Sequence, residues 1–203
     1  MGIDNSFVDT LRQADSALSF MGRGELRRGR LGLFLDGIYT RLAYDDVRAG
    51  PLTLDATSVL GVLEFGAAYE VADGPWRMGG RDDWALDVLA GGRWTHLKTE
   101  VSLARFPSGV STTDWVDPFG GLRLRGQLGE RWEVSLRGDV GGGTGGSRFA
   151  WQAGAFVGYR FEMFGLQSAA VLGYRALSQD FRSAKLVWDT TLYGPVLGLS
   201  IRF

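Results

Sequence analysis

One histidine, His96, ends the segment WALDVLAGGRWTH, and it is the only imidazole in the chain. A histidine held beside a serine or an aspartate can act as a general base, and Ser102, Ser111 and Asp114 follow it closely. Nothing in the sequence fixes any of the three near the ring. The alternation of its strand puts His96 on the side of Leu86 and Trp94, towards lipid headgroups or solvent. It reads as an interface histidine, and no catalytic residue is assigned. The run GGGTGG has the glycine density of a phosphate cradle but lacks the Lys-Ser/Thr and the strand–helix setting that make one work. It reads as a flexible hairpin loop. The acidic pairs Asp45-Asp46 and Asp82-Asp83 read as solvated loop tips or as contacts for divalent ions. Arg105, Arg148 and Arg182 fall in expected loops, where they would meet anionic lipid phosphates. One histidine and no cysteine offer neither thiolate chemistry nor a metal-ligand set, so no metal and no cofactor are expected.

With little to catalyse a reaction, the weight falls on the elements that carry these side chains. The chain has 203 residues, a net charge of −1 and 45% apolar residues, which suits one domain and does not suggest a nucleic-acid partner. Its 31 glycines would fit disorder, but aromatics reach 12%, and that mixture points to tightly packed, curved strands. No run approaches the ~20 apolar residues of a spanning helix. The start lacks the basic region and apolar core of a secretory signal, so an exported protein would be present here in processed or trimmed form. Residues 1–18 read as an N-terminal segment, with Ser6 to Leu18 fitting a short amphipathic helix that carries Phe7, Leu11, Ala14 and Leu18 on one side. Residues 19–203 read as a single domain.

Within that domain nearly everything has period two. RLGLFLDGIYTRL sets Leu31, Leu33, Leu35 and Tyr39 against Phe34, Asp36 and Ile38. SVLGVLEFGAAYEV sets Leu63, Phe65 and Tyr69 against Leu60, Val62 and Glu64. RWEVSLRGDV sets Trp132, Val134, Leu136 and Val140 against Glu133, Arg137 and Asp139. Nine such strands can be counted, most of ~10 or more residues, against the ~5–6 usual in soluble sheets and the ~9–11 that cross a bilayer. RRGR, LGER and FEMFG read as tight turns. AYDDVRAGPLT, LKTEVSLARFPSGVSTT, GGGTGGSR and SQDFRSAK read as longer loops at the opposite end, the layout of an outer-membrane barrel.

One face of each strand is bulky and apolar, while the other mixes glycine, serine and balanced charge. Water-facing strands favour lysine and threonine; here the chain has two lysines, and arginines sit in mid-strand. The expected lumen network comprises Arg93, Arg123, Arg125, Arg137, Arg160 and Arg175 with Asp36, Glu64, Asp87, Asp117, Glu133 and Asp139, and Arg23 and Glu25 share its face. Guanidinium groups can hold two carboxylates in fixed geometry, and near-equal numbers are what a desolvated interior requires. Two aromatic belts are expected at the membrane–water boundaries. Trp84, Trp132, Phe161 and Phe203 would form the one at the tight-turn end, with Trp94, Trp115, Trp151, Tyr174 and Tyr193 towards the other.

DPFGGLRLRGQLGERWEVSLRGDVGGGTGGSRFAWQAGAFVGYRF, LGYRAL and the terminal LYGPVLGLSIRF resemble the uncharacterised outer-membrane β-barrel proteins of Gram-negative bacteria, broadly the OmpA- and OmpW-like small barrels. The resemblance covers roughly residues 18–203. It implies a transmembrane antiparallel up-and-down β-barrel of 8 to 10 strands, all-β, in the bacterial outer membrane. Outer-membrane lipids, lipopolysaccharide and the barrel-assembly machinery are its implied partners. Tyr193, Leu197, Leu199, Ile201 and Phe203 match the terminal signal that this machinery reads in such proteins. The resemblance supplies location and fold rather than chemistry. The expected role is non-enzymatic, structural or surface-interacting, with a largely plugged lumen. A narrow channel for small or apolar solutes, a lipid A-modifying enzyme and a soluble lipocalin-like carrier are the other readings. Single-chain bacterial barrels have even strand numbers. Nine strands therefore leave a parity conflict, and an eight- or ten-stranded barrel is expected.

Overall fold

The computed structural model describes residues 3–6, 16–49, 52–75, 83–103, 106–144, 146–182 and 187–202. All the regular structure among them is strand. The elements are β1 (Ile3–Ser6), β2 (Ser16–Arg28), β3 (Leu31–Ala49), β4 (Leu52–Pro75), β5 (Asp83–Leu103), β6 (Phe106–Leu128), β7 (Trp132–Gly141), β8 (Ser147–Met163), β9 (Leu166–Arg182) and β10 (Val187–Arg202). They form one sheet in the order β1-β10-β9-β8-β7-β6-β5-β4-β3-β2. From β2 to β10 every neighbour is antiparallel and adjacent in sequence, an up-and-down meander of nine strands; the short β1 pairs in parallel with Thr190–Tyr193 of β10. The sheet curls far enough for Arg175 of β9 to reach Asp36 of β3, with Nη1 2.9 Å from Oδ1.

The turn chemistry explains the tight end. Phe164 and Gly165 link β8 to β9 with φ of 55° and 75°. Two consecutive positive φ values match the two-residue turns whose twist suits a hairpin. Gly29 and Gly129 supply the left-handed residue in the β2–β3 and β6–β7 turns. At the other end the expected loops are mostly strand. β3 continues to Ala49, β4 begins at Leu52, and β5 and β6 run to Leu103 and from Phe106. Polar residues there extend the ladder beyond the apolar band, because backbone pairing does not require an apolar side chain. Asp45 and Asp46 lie in β3 rather than at a loop tip, beside a bulge between Tyr44 and Val47. Asp82, Arg105 and Phe203 lie outside the described residues.

One other expectation changes, and one is met in part. The ends of the anticipated helix over Ser6–Leu18 are strand: Ser6 closes β1 and Ser16 opens β2, while 7–15 lie outside the described residues. The sheet holds ten strands, inside the expected 8 to 10, but only nine of them form the antiparallel meander. Among the described residues β2 pairs only with β3, and β10 pairs outside β9 only through β1.

The two faces separate by character as the alternation predicts. Leu35, Phe65, Val88, Leu122, Leu136 (51% exposed) and Leu172 point outward and are exposed. Glu64, Asp87, Arg93 and Asp117 point inward and are wholly buried. Transfer of apolar surface out of water drives a soluble fold to the opposite arrangement.

Candidate functional site: the layered interior

Strand register stacks the inward side chains in layers. Going up β5 from the tight-turn end they are Asp87, Leu89, Gly91, Arg93, Thr95 and Leu97. Their β4 partners are Glu70, Ala68, Gly66, Glu64, Val62 and Leu60. Their β6 partners are Arg123, Gly121, Phe119, Asp117, Trp115 and Thr113. Charged and apolar levels therefore alternate along the axis.

The lowest charged layer centres on Asp87. Its carboxylate accepts from Arg123 Nε and Arg125 Nε, both at 2.8 Å, and from Arg27 Nη2 at 3.1 Å. Arg123 also donates across the interior to Glu25, through Nη1 at 2.6 Å and Nη2 at 2.9 Å. Glu70 accepts from Arg125 Nη2 at 2.8 Å. Above this layer lies an apolar cluster of Phe34, Ala68, Leu89 and Phe119.

The second charged layer is buried, with Glu64 and Arg93 wholly enclosed. Glu64 accepts from Arg93 Nε at 2.8 Å and lies 2.9 Å from Arg137 Nη2 and 3.4 Å from Arg175 Nη2. Asp139 takes Arg93 Nη2 at 2.5 Å, Arg137 Nε at 2.9 Å and the Gln152 amide at 3.2 Å. Arg175 donates to Asp36 at 2.9 Å and to the Gln152 carbonyl oxygen. Arg93 and Arg137 also lie over aromatic rings of the cluster below, with Arg93 5.1 Å from the Phe119 centroid and Arg137 5.4 Å from that of Phe34. A planar, weakly hydrated guanidinium can stack in this way while its edge donates to carboxylates; an ammonium cannot. Gly91 makes room for the arrangement. A Cβ there would lie 2.9 Å from Gly66 Cα and 3.1 Å from the Phe119 ring.

Arg23, 3.3 Å from Glu25 and 3.7 Å from Asp36, links the two layers. Together they hold Arg23, Arg27, Arg93, Arg123, Arg125, Arg137 and Arg175 against Glu25, Asp36, Glu64, Glu70, Asp87, Asp117 and Asp139, seven of each. Asp117 is the exception in kind. It faces Arg93 in register, but its bonded partner is the indole N–H of Trp115, at 3.1 Å. Arg160 and Glu133, also expected in the network, form a separate half-buried pair at 2.9 Å near the tight-turn end. Arg27, Glu70, Gln152 and Gln179 are members that the strand pattern did not single out.

Over the second charged layer, Gln179 donates to Thr95 at 2.8 Å, and a larger apolar cluster then closes the interior. Leu60, Val62, Leu97, Trp115, Leu177 and Phe181 are buried together, with Ile38 and Leu192 packed against them. Trp115 stacks on Phe181, with centroids 4.4 Å apart. This corrects the expectation that Trp115 belongs to an outer aromatic belt. β6 extends upward past Asp117, so Trp115 keeps the inward parity of Asp117 and Phe119. Trp94, Trp132, Phe161 and Tyr174 do face outward and are exposed.

The remaining chemical candidates resolve by geometry. His96 faces outward, and its Nδ1 lies 2.7 Å from Asp114 Oδ1 across the β5–β6 pair. Its same-face cross-strand neighbours are Asp114 and Gly61. Ser111 sits opposite Thr99, on the other parity, and Ser102 sits higher on β5, opposite Asp55. Among the described side chains, the pair is an oriented imidazole with no serine bonded to it. The glycine-rich loop is bonded to itself and to its surroundings: the Gly142 amide donates to Pro118 O and the Gly143 amide to Ser147 O. Those two donors are taken and are not free to hold a phosphate. Arg182 bonds Asp180 at 3.2 Å and Arg148 is exposed. No cluster of three or more metal-ligating side chains occurs among the described residues. Of the terminal-signal residues, Leu197 (86% exposed) and Leu199 point outward on β10, and Tyr193 is half-buried. Compared with family models, with curated proteins and with solved structures, the chain matches none.

Proposed function

We propose that this chain is an integral β-barrel protein of the bacterial outer membrane, non-enzymatic, whose closed interior serves a structural or surface-interaction role. The observation that carries the reading is the inverted distribution of character. The outer wall offers half-exposed leucine, valine and phenylalanine, while Glu64 and Arg93 have no exposure at all. In water such a wall would drive aggregation, whereas against acyl chains it is the favourable side. Balanced, hydrogen-bonded ion pairs let the interior forgo bulk water. Outer-membrane lipids and lipopolysaccharide are the partners that this wall suits. The outward Leu197 and Leu199 of β10 fit a strand offered to the barrel-assembly machinery.

The layered packing favours a plug over a channel. Protein purified in detergent should migrate faster on gels before boiling than after, as compact barrels do. In planar bilayers it should give no steady, ion-selective steps. Reproducible unitary openings would overturn the closed-interior reading, and full solubility without detergent would overturn the membrane reading.

A further inference from the structure

The outer wall is not smooth. A groove of about 460 Å³ crosses it over β2–β5, within the ~300–1,000 Å³ usual for ligand sites. Gly22, Gly37 and Gly61 form its floor, and Phe20, Tyr39 and Trp94 stand around them. Gly22 pairs with Gly37 and Tyr39 with Gly61, so the floor runs obliquely over three strands. A Cβ at Gly22 would meet nothing within 4 Å, and one at Gly37 nothing nearer than 3.8 Å. Just above the groove the outward side chains turn polar. On that face Tyr39 is followed by Arg41 on β3, and Trp94 by His96 and Lys98 on β5. Val59 of β4 faces Arg41 on one side and Lys98 on the other, so the two cations share a level.

We infer that this groove seats one acyl chain of a phosphate-bearing membrane lipid, with the phosphate at Arg41. The inference rests on the membrane reading and names a particular partner for its wall. Three observations set the chemistry. The groove is continuous with the exposed apolar wall, since Leu35 and Phe65 lie one residue pair below Gly37 and are themselves exposed. Its occupant is therefore apolar over most of its length. The floor carries no side chains while exposed rings rise beside it, Phe20 and Tyr39 among them. A thin, flexible chain can lie there, whereas a second flat sheet resting on the rings would leave the floor uncovered. The upper end is cationic. Lys98 is taken up by Glu100 at 2.5 Å, and Arg41 is exposed. A guanidinium can hold a phosphate through two parallel N–H bonds. An apolar tail that ends in one anion is the chemistry of a lipid.

The test titrates the whole chain in detergent with dipalmitoyl phosphatidylglycerol, or with dipalmitoylglycerol, which has the same tails and no phosphate. Native mass spectrometry counts the lipid retained per chain. The phosphate lipid should give a one-to-one adduct and half-saturate at about threefold lower concentration than the uncharged one, the worth of one exposed ion pair. Arg41→Gln should abolish that preference while keeping the adduct. Gly37→Leu and Gly22→Leu fill the groove from two different strands. Each should raise the half-saturating concentration about tenfold, as the loss of two buried methylene groups would. Gly138→Leu, on the outer face of β7 with nothing within 4 Å of its Cβ, should change nothing. Heat-modifiable migration shows which variants keep the barrel, and either glycine variant alone can decide. A parent that shifts with heat yet retains no lipid would overturn the inference and leave the membrane reading standing; a groove covered by the chain's own residues would give that result. Solubility without detergent would overturn both. Equal retention by all three leucine variants would overturn the inference, and so would a dimer, lost in Gly37→Leu, in place of the adduct.

Discussion

Replacing Glu64 with glutamine removes one negative charge and almost no volume from a wholly buried part of the interior. The carboxylate has no exposure and contacts three guanidinium groups, at 2.8, 2.9 and 3.4 Å. Glutamine can still accept from Arg93 through its carbonyl oxygen, so that bond is weakened rather than lost. A charged partner is worth about 1–1.5 kcal/mol more than a neutral one per hydrogen bond. One weakened hydrogen bond and two ion-pair contacts deprived of their charge put the loss at about 3 kcal/mol, the low end of the ~3–5 kcal/mol seen when a buried ion pair is broken from one side. That is roughly a 100-fold change in the folded-to-unfolded ratio. The measurement is urea unfolding in phospholipid vesicles, followed by tryptophan fluorescence. Arg160→Gln is the reference, since it breaks the half-buried Arg160–Glu133 pair and should cost no more than about 1 kcal/mol. The double variant Glu64→Gln with Arg93→Gln should recover part of the loss, because neither member is then left as an uncompensated charge. Equal destabilisation by Glu64→Gln and Arg160→Gln would refute the reasoning, since water would then be reaching the second charged layer.

Three further outcomes follow from the same geometry. Leu136→Arg, halfway along β7 on the outer wall, should cost about 2–4 kcal/mol in vesicles, while Leu128→Arg, near a tight turn, should cost about 0–1 kcal/mol. Equal, small effects in the same urea titrations would speak for a wall that faces water. Gly91→Ala must push the Phe65 carbonyl, Gly66 and Phe119 aside and should lose about 1–3 kcal/mol. Gly120→Ala, whose Cβ would find its nearest neighbour at 3.8 Å, should match the parent or gain about 0.4–1 kcal/mol, as chemical melts of the pair would show. His96→Ala should leave the lipid A profile of expressing cells unchanged in mass spectra, because among the described side chains no serine is bonded to the His96–Asp114 pair; an altered profile would restore the enzymatic reading.

Parity is a local property, and what depended on parity could be read from the string. The period-two segments place Asp36, Glu64, Asp87, Arg93, Arg123, Arg137, Asp139 and Arg175 on one face without knowledge of any partner. Which carboxylate meets which guanidinium was not legible. Arg175 reaches Asp36 across 139 positions and Arg123 reaches Glu25 across 98, distances fixed only by curl and stagger. Strand ends were the weak point. Arg27 was hidden in a segment read as a turn, and Trp115 lay between a loop ending at Thr113 and a strand read from Asp117 and was assigned to an outer belt, so neither was followed on its parity. The His96–Asp114 contact needed the β5–β6 register through that same segment. Phe34, Leu60 and Val62 stood on the charged face in plain view. Their role as layers emerges only when neighbouring strands, and for Leu60 and Val62 also β9 across the interior, bring apolar residues together.

That layering bears on transport. An ion entering from the tight-turn end meets guanidinium groups already bonded to carboxylates. To pass them it must exchange bonds of 2.6 to 2.9 Å for its own, and it then faces Phe34, Leu89 and Phe119, which offer none. An apolar solute finds the reverse difficulty at the second charged layer, where separating Glu64 from Arg93 would strand both charges away from water. On the plug reading proposed above, each layer would exclude what its neighbour admits, and conduction would need the apolar and charged levels to part together. Arginine makes that concerted opening harder than lysine would, because Arg93 and Arg137 are each fixed by carboxylates at the edge and by an aromatic ring at the face.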